Sequence, residues 1–132
     1  HTYYGTGNKH LWQNTSGTQV LEVDASGNLT ATANVTAYSD ERLKSDIKTI
    51  DNALDKVSQM RGVTFIKDDR QGSGVIAQEI EKIAPELVIT AEDEIGTKSV
   101  AYGNTVGYLI EAIKELKSDL DNHKKHCTCG GN

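Results

Sequence analysis

Ser39 and Lys44 lie five positions apart in a short, charge-dense segment and are the first candidates for chemistry in this sequence. A serine hydroxyl is a poor nucleophile at neutral pH because it holds its proton, so it needs a positioned base. A lysine can be that base when a dehydrated environment favours its uncharged amine. Ser-Lys pairs are a known variant of the Ser-His-Asp arrangement. The spacing alone does not establish a site, because serine and lysine occur five apart in many loops.

A second group of potentially reactive side chains lies near the C-terminus. His123, His126, Cys127 and Cys129 fall within seven residues and are ligand types that zinc accepts. The Cys-x-Cys spacing is shorter than the usual zinc spacer, however, and glycines follow. We therefore predict a flexible tail over 125–132, with no metal and no cofactor. Both cysteines lie in the last six residues, which excludes a disulfide scaffold for the body of the fold.

The region before Ser39, residues 1–38, is mostly Thr, Gly, Asn and Ser. Two β-prone runs, Thr18–Val23 and Leu29–Thr36, flank the turn-forming segment Asp24–Asn28 and predict a hairpin. These strands carry too few apolar residues for a core of their own. Two interpretations remain open: a floppy extension, or the end of an intertwined β-fibre in which three chains complete one another's core.

Residues 39–102 predict a compact body of short elements. Ile50, Leu54 and Val57 recur at helical spacing and predict a helix that ends before Gly62. That helix covers Thr49–Gln59. The other predicted elements, in chain order, are a strand at Val63–Ile66, a polar turn over Asp68–Gly74, a short helix over Glu79–Ala84 ended by Pro85, and a hairpin of Leu87–Thr90 with Lys98–Tyr102.

The strongest periodic signal lies in the last predicted helix, over about residues 104–124. Apolar residues follow spacings of three and four, which is the a/d pattern of a coiled coil. These residues are Val106, Leu109, Ile113, Leu116 and Leu120, with His123 next in the series. The narrow stripe favours self-association, although the pattern does not by itself choose two strands or three. Ile110 falls off the stripe, and we expect it to contact the domain body.

The string Tyr38–Ile47 resembles the Ser-Asp-x-x-x-Lys signature of a known family. That family comprises the C-terminal intramolecular chaperone domains of bacteriophage tail fibres, tailspikes and endosialidases, the S74 self-cleaving peptidases. Further blocks resemble the same family in order, so that the match covers about residues 20–120. These blocks are Ser26–Ala37, Gly74–Ile80, Pro85–Val88, Val100–Tyr102 and Leu109–Leu116.

The resemblance implies a trimer that guides the upstream β-rich stem into an intertwined fibre and then cuts the chain. Carried over by position, it makes Ser39 the nucleophile, Lys44 the general base and Asp40 an acid that orients the loop. Arg42 fits a basic position to which no chemical role is assigned. Attack in cis through a five-membered ring would cleave Tyr38–Ser39, whereas attack from a neighbouring chain could cleave Ser39–Asp40.

Composition and charge argue against two classes of partner, nucleic acids and membranes. The net charge of −5 argues against a nucleic-acid surface, and no apolar run approaches the roughly 20 residues that span a bilayer.

Taken together, the patterns and the resemblance predict an α+β, homotrimeric chaperone domain at 39–132, with small hairpins and a coiled-coil helix, after a β-stem remnant at 1–38. Its function would be single-turnover serine autoproteolysis in a virion tail-fibre precursor made in the host cytoplasm, from which the chaperone part is released. The alternative is a non-cleaving trimerisation cap.

Overall fold

The computed structural model describes residues 9–127 and the backbone of residues 2–5. The chain divides into two compact units, an N-terminal unit that ends at Asp46 and a C-terminal unit that begins at Ile47. The predicted domain boundary was Ser39, so the segment that carries Ser39 and Lys44 falls within the N-terminal unit. Of the helices in the described residues, none is long and apolar enough to cross a lipid bilayer.

The N-terminal unit contains a four-stranded antiparallel sheet in the order β1-β2-β3-β4. The strands are β1 (Thr2–Gly5), β2 (His10–Gln13), β3 (Gln19–Val23) and β4 (Leu29–Ala31). The β3–β4 turn closes because the Asp24 carboxylate accepts hydrogen bonds from the backbone N–H groups of Ser26 and Asn28, at 2.8 and 2.9 Å. This confirms the predicted hairpin, but β4 ends five residues earlier than expected. Among its described residues, no side chain is fully buried.

The C-terminal unit alternates short helices with two separate antiparallel hairpins, β5-β6 and β7-β8. Its elements are α1 (Ala53–Gln59), β5 (Val63–Lys67), β6 (Arg70–Gly74), α2 (Ala77–Glu81), β7 (Val88–Thr90), β8 (Lys98–Val100) and α3 (Thr105–Cys127). Single 3-10 turns occupy Pro85–Leu87 and Tyr102–Asn104 in this unit, and Glu41–Leu43 in the N-terminal unit. This mixture of helices and small antiparallel sheets confirms the predicted α+β class.

The predicted polar turn over residues 68–74 is wrong. Only Asp68 and Asp69 turn, both with positive φ, and the next five residues pair with β5 as strand β6. The glycines of β6 accommodate aromatic rings: a Cβ at Gly72 would lie 2.6 Å from Cε2 of Phe65, and one at Gly74 would lie 2.5 Å from Oη of Tyr102. Packing against these aromatic groups requires glycine at both positions. Because glycine is unfavourable inside strands, the sequence did not indicate that these residues form one.

The predicted helix start at residue 49 is also too early. Asn52 adopts a left-handed backbone conformation with φ of 53°, so α1 begins only at Ala53. The end of the helix at Gln59 agrees with the prediction.

The hydrophobic core lies where α2, the Pro85–Leu87 turn and α3 meet. Ile80, Ala84, Leu87 and Tyr108 form its buried cluster. Five half-buried side chains pack around it, namely Ile50, Val57, Met60, Val75 and Val88. The core is therefore small and depends on a few large side chains, of which Ile80 is the largest that is fully buried.

We expect Ile80→Ala to lower the free energy of unfolding by about 3 kcal/mol, because it removes buried methyl groups and leaves a cavity. Urea denaturation measures the change. Ile89→Ala is the matched control, because Ile89 lies on β7 with 62% of its surface exposed. Similar losses in the two variants would contradict this location of the core.

A carboxylate of α3 caps the first turn of α1. Asn52 makes no side-chain cap bond. Instead, Glu115 accepts hydrogen bonds from the backbone N–H groups of Leu54 and Ala53, at 2.8 and 3.0 Å. These bonds, that of Leu54 first, lower the pKa of Glu115 from its ordinary value. A negative charge is also favourable at this end of a helix. Glu115 thus ties the two packed helices together.

The Glu115 cap predicts a pH-dependent stability. Because the pKa of Glu115 is lower in the folded chain, its contribution is present above the unfolded pKa, about 4.5, and is lost as pH falls through the folded value. We expect Glu115→Gln to lower Tm at pH 7 by about 3 °C and by progressively less below pH 4.5. Thermal unfolding from pH 3 to 7 measures this, with Glu111→Gln as control. A Tm difference independent of pH would contradict the cap.

α3 has a face toward its own unit and a face left open. Tyr108 and Ala112 are buried, and burial together with a hydrogen bond to Glu86 raises the pKa of Tyr108 to about 12.

The predicted contact of Ile110 with the domain body is wrong, because Ile110 is 50% exposed and Tyr108 makes that contact instead. The stripe residues Val106, Leu109, Ile113, Leu116 and Leu120 are 47–66% exposed. Residues 125–127, predicted as tail, are helical.

Candidate active site

Ser39 and Lys44 are in contact, as a catalytic pair requires. The Nζ of Lys44 lies 2.8 Å from the Oγ of Ser39 and 3.3 Å from the carbonyl oxygen of Ser39. A base and a nucleophile must lie within hydrogen-bond distance for a proton to pass between them. This pair meets that condition within one chain.

A 3-10 turn over Glu41–Leu43 brings the two side chains together. The backbone N–H of Leu43 donates to the carbonyl of Asp40 at 3.1 Å, and that of Lys44 donates to the carbonyl of Glu41 at 3.0 Å. The chain therefore reverses between the two residues, and the long lysine side chain returns to the serine. Residues five positions apart can therefore make this side-chain contact, because the 3-10 turn lies between them.

Asp40 and Arg42 brace that turn. The Asp40 carboxylate caps it by accepting from the backbone N–H of Arg42 at 2.9 Å. The Arg42 guanidinium holds the same carboxylate, with an Nη2–Oδ2 distance of 2.6 Å and an Nε–Oδ1 distance of 3.0 Å. The guanidinium, then the backbone N–H and the charge of Lys44, lower the pKa of Asp40. The role of Arg42, which the sequence left unassigned, is to hold the capping carboxylate.

The pair lies open to solvent in the single chain. Ser39 and Lys44 are both exposed, and Tyr38, whose carbonyl precedes the serine, is 97% exposed. Leu43, in the same turn, is 73% exposed. A lysine base needs an environment that disfavours charge, and exposed apolar side chains are surfaces that a partner can cover. In the single chain, Ser39 and Lys44 have the distance that proton transfer requires, but both side chains remain exposed to water.

Residues 39–89 match the family model Peptidase S74, described as chaperone of endosialidase. Over these residues the chain is similar to that family. The match begins at Ser39 and includes Lys44, so the resemblance inferred from the sequence motifs is confirmed.

Similar proteins are long tail fiber proteins called Gp37. The chain is 38% identical over 94 residues to that of Enterobacteria phage K3, covering 64% of this chain and 8% of the relative. Identity to the phage T2 protein is also 38% over 94 residues, covering 64% and 7%. For Salmonella phage S16 it is 32% over 100 residues, covering 66% and 13%. The chain thus spans a small fraction of the length of these relatives.

The chain is also similar to a solved structure, that of the carboxy-terminal domain of the bacteriophage T5 L-shaped tail fiber with its intra-molecular chaperone domain. It is 12% identical, with a TM-score of 0.48, and the match covers 89% of this chain and 44% of that chain.

Proposed function

We propose that three copies of this chain assemble, fold the fibre stem upstream of them and then release themselves by Ser39–Lys44 autoproteolysis. The observation that carries the proposal is the 2.8 Å Nζ–Oγ contact inside the segment that matches the chaperone family. The tail-fibre names of the relatives support a place in a virion tail fibre. Synthesis of its precursor in the host cytoplasm is part of the proposal. A non-cleaving trimerisation cap is the second candidate, favoured by the exposure of the pair in the single chain.

The reaction balances without any cofactor. The uncharged amine of Lys44 accepts the hydroxyl proton of Ser39, and Oγ attacks the carbonyl carbon of Tyr38. The proton passes to the leaving amide nitrogen of Ser39 as the C–N bond breaks, which gives an ester. Water hydrolyses that ester to the Tyr38 carboxylate and restores the serine hydroxyl. Attack by the serine of a neighbouring chain would cut Ser39–Asp40 by the same proton path.

Assembly would switch the site on. In the single chain the pair is exposed, and so is the apolar stripe of α3 that fits a coiled coil. Contacts between subunits would cover the apolar side chains near Ser39, exclude water and favour the uncharged amine of Lys44. Cleavage would then occur only after correct assembly, which suits a chaperone that acts once.

The N-terminal sheet supports the stem part of the proposal. Its side chains make no fully buried cluster in the described residues of the unit, and Val20 and Leu29 are 38% and 61% exposed. Three such sheets wound together would bury these side chains against one another. Intertwined chains unfold slowly because they must unthread, so the released stem would be held kinetically.

The proposal is tested by a time course of chain length against oligomeric state. Mass spectrometry of the purified chain is expected to show fragments of 38 and 94 residues for cleavage at Tyr38–Ser39, or 39 and 93 for cleavage at Ser39–Asp40. Sedimentation should show that fragments appear only after the trimer. A trimer that stays intact would establish the non-cleaving cap instead, and cleavage of isolated monomers at the trimer's rate would refute activation by assembly.

The Asp40–Arg42 brace predicts a smaller effect on the same reaction. We expect Arg42→Ala to slow cleavage about fivefold, because a freed carboxylate caps the turn less often and Lys44 then meets Ser39 less often. The rate of fragment appearance measures this. Arg61→Ala is the control, because it removes a similar exposed ion pair, with Glu79, from the C-terminal unit. Equal rates for Arg42→Ala and the unaltered chain would contradict a positioning role.

A further inference from the structure

The stripe of α3 does not end at Leu120. Continuing the spacings of three and four, the next positions are His123 and Cys127, and α3 remains helical through both. Their side chains meet on one face of the helix, with Cys127 Sγ 3.4 Å from His123 Nε2, and both residues are exposed. The stripe therefore changes from apolar residues to two residues of types that can bind metals in the last turns of α3.

A coiled coil would bring the His123 and Cys127 side chains of several chains together. Residues at a and d positions point toward the common axis, so a parallel trimer would bring three imidazoles and three thiols together there. The two layers would lie about 6 Å apart along the axis, from four residues of helical rise. In the described part of a single chain, no three metal-binding side chains meet. The prediction of no metal rested on the short Cys-x-Cys spacing and the glycines that follow it, whereas a trimer would supply ligands from three chains.

The distance within the pair fits one shared ion. Zinc binds histidine nitrogen at about 2.0–2.1 Å and cysteine sulfur at about 2.3 Å with tetrahedral angles. Two such ligands of one ion are therefore about 3.6 Å apart. The observed separation of 3.4 Å is close to that value. Thiolate and imidazole are the ligands that zinc and similar borderline or soft metals prefer.

We propose that trimerisation creates a site on the threefold axis that binds one zinc-class ion per trimer through the three Cys127 thiolates and one His123 imidazole, a four-ligand Cys3His set. This rests on the proposed trimerisation. The ion would lock the C-terminal end of the coil, because it binds the assembled chains and not the separate ones. His126 lies off the seam, and its Nδ1 is 2.8 Å from the carbonyl oxygen of Asn122. Cys129 lies outside the described residues, and the proposal does not use it.

Titration of the reduced full-length trimer with Co²⁺ tests the site. Tetrahedral thiolate coordination is expected to give strong visible and near-ultraviolet absorption that saturates at one ion per three chains and is displaced by Zn²⁺. His123→Ala and Cys127→Ser are each expected to weaken Co²⁺ binding at least tenfold. His126→Ala and Cys129→Ser are matched controls that should retain both spectrum and stoichiometry.

Sedimentation of every sample separates the two proposals. A trimer that binds no Co²⁺, saturation at one ion per chain, or unchanged binding in Cys127→Ser would overturn the metal site while leaving the chaperone proposal intact. Failure of the unaltered chain to form a trimer, with or without metal, would overturn both. Oxidative crosslinking of Cys127 between chains without metal binding would indicate a disulfide in place of the ion.

Discussion

The Ser39→Ala chain is expected to remain at its full length of 132 residues under conditions in which the unaltered chain is cut completely. Removing Oγ removes the only atom that the proposed mechanism allows to attack the carbonyl carbon, so the rate should fall at least about a thousandfold. Lys44→Arg should be equally inactive, because arginine stays protonated and cannot accept the hydroxyl proton. Mass spectrometry over several days measures both.

Neighbouring residues of the same types are the controls for this experiment. Ser45→Ala and Lys48→Arg alter the same exposed segment without touching the contact between Nζ and Oγ. Both variants should cleave at the rate of the unaltered chain. Cleavage of Ser39→Ala at this junction would refute the assignment of the nucleophile, and loss of cleavage in Ser45→Ala would show that the assay responds to disruption of the segment.

The hairpins and the last helix show which parts of the fold can be predicted from the periodicity of the sequence and which cannot. β3–β4 and β7–β8 were predicted because turn-forming residues separate alternating runs, and both are local in sequence. β6 was missed because its glycines are explained only by the Phe65 and Tyr102 rings that lie over them. The position of Ile110 was mispredicted for a related reason: the helical pattern does not reveal that the Tyr108 ring fills the space next to α2.

The candidate site shows the same division. Its two candidate residues, Ser39 and Lys44, were selected from a short motif, and their contact follows from one local turn. The motif did not reveal that Arg42 holds the Asp40 carboxylate. An acidic and a basic residue two positions apart at a tight turn would nevertheless have indicated such an ion pair. The Glu115 cap could not be predicted at all, because its partners lie more than sixty residues away in the sequence.

Leu116→Asp is expected to dissociate the trimer and, with it, to stop cleavage. Leu116 lies in the middle of the exposed stripe of α3, where three chains would place three carboxylates at one level of a dry seam, and uncompensated buried charge is strongly unfavourable. Sedimentation equilibrium should give the monomer mass of 14.3 kDa in place of three times that value. Fragments should no longer appear, although Ser39 and Lys44 are unchanged.

Ile95→Asp distinguishes loss of the seam from a general effect of a new charge. Ile95 is 86% exposed in the β7–β8 loop, so the same substitution there should leave mass and cleavage unchanged. A Leu116→Asp monomer that still cleaved would show that the single chain can dehydrate Lys44 by itself. A trimer that survived the substitution would place the subunit contacts outside α3. Only joint loss of trimer and cleavage is consistent with a peptidase that reads out its own assembly.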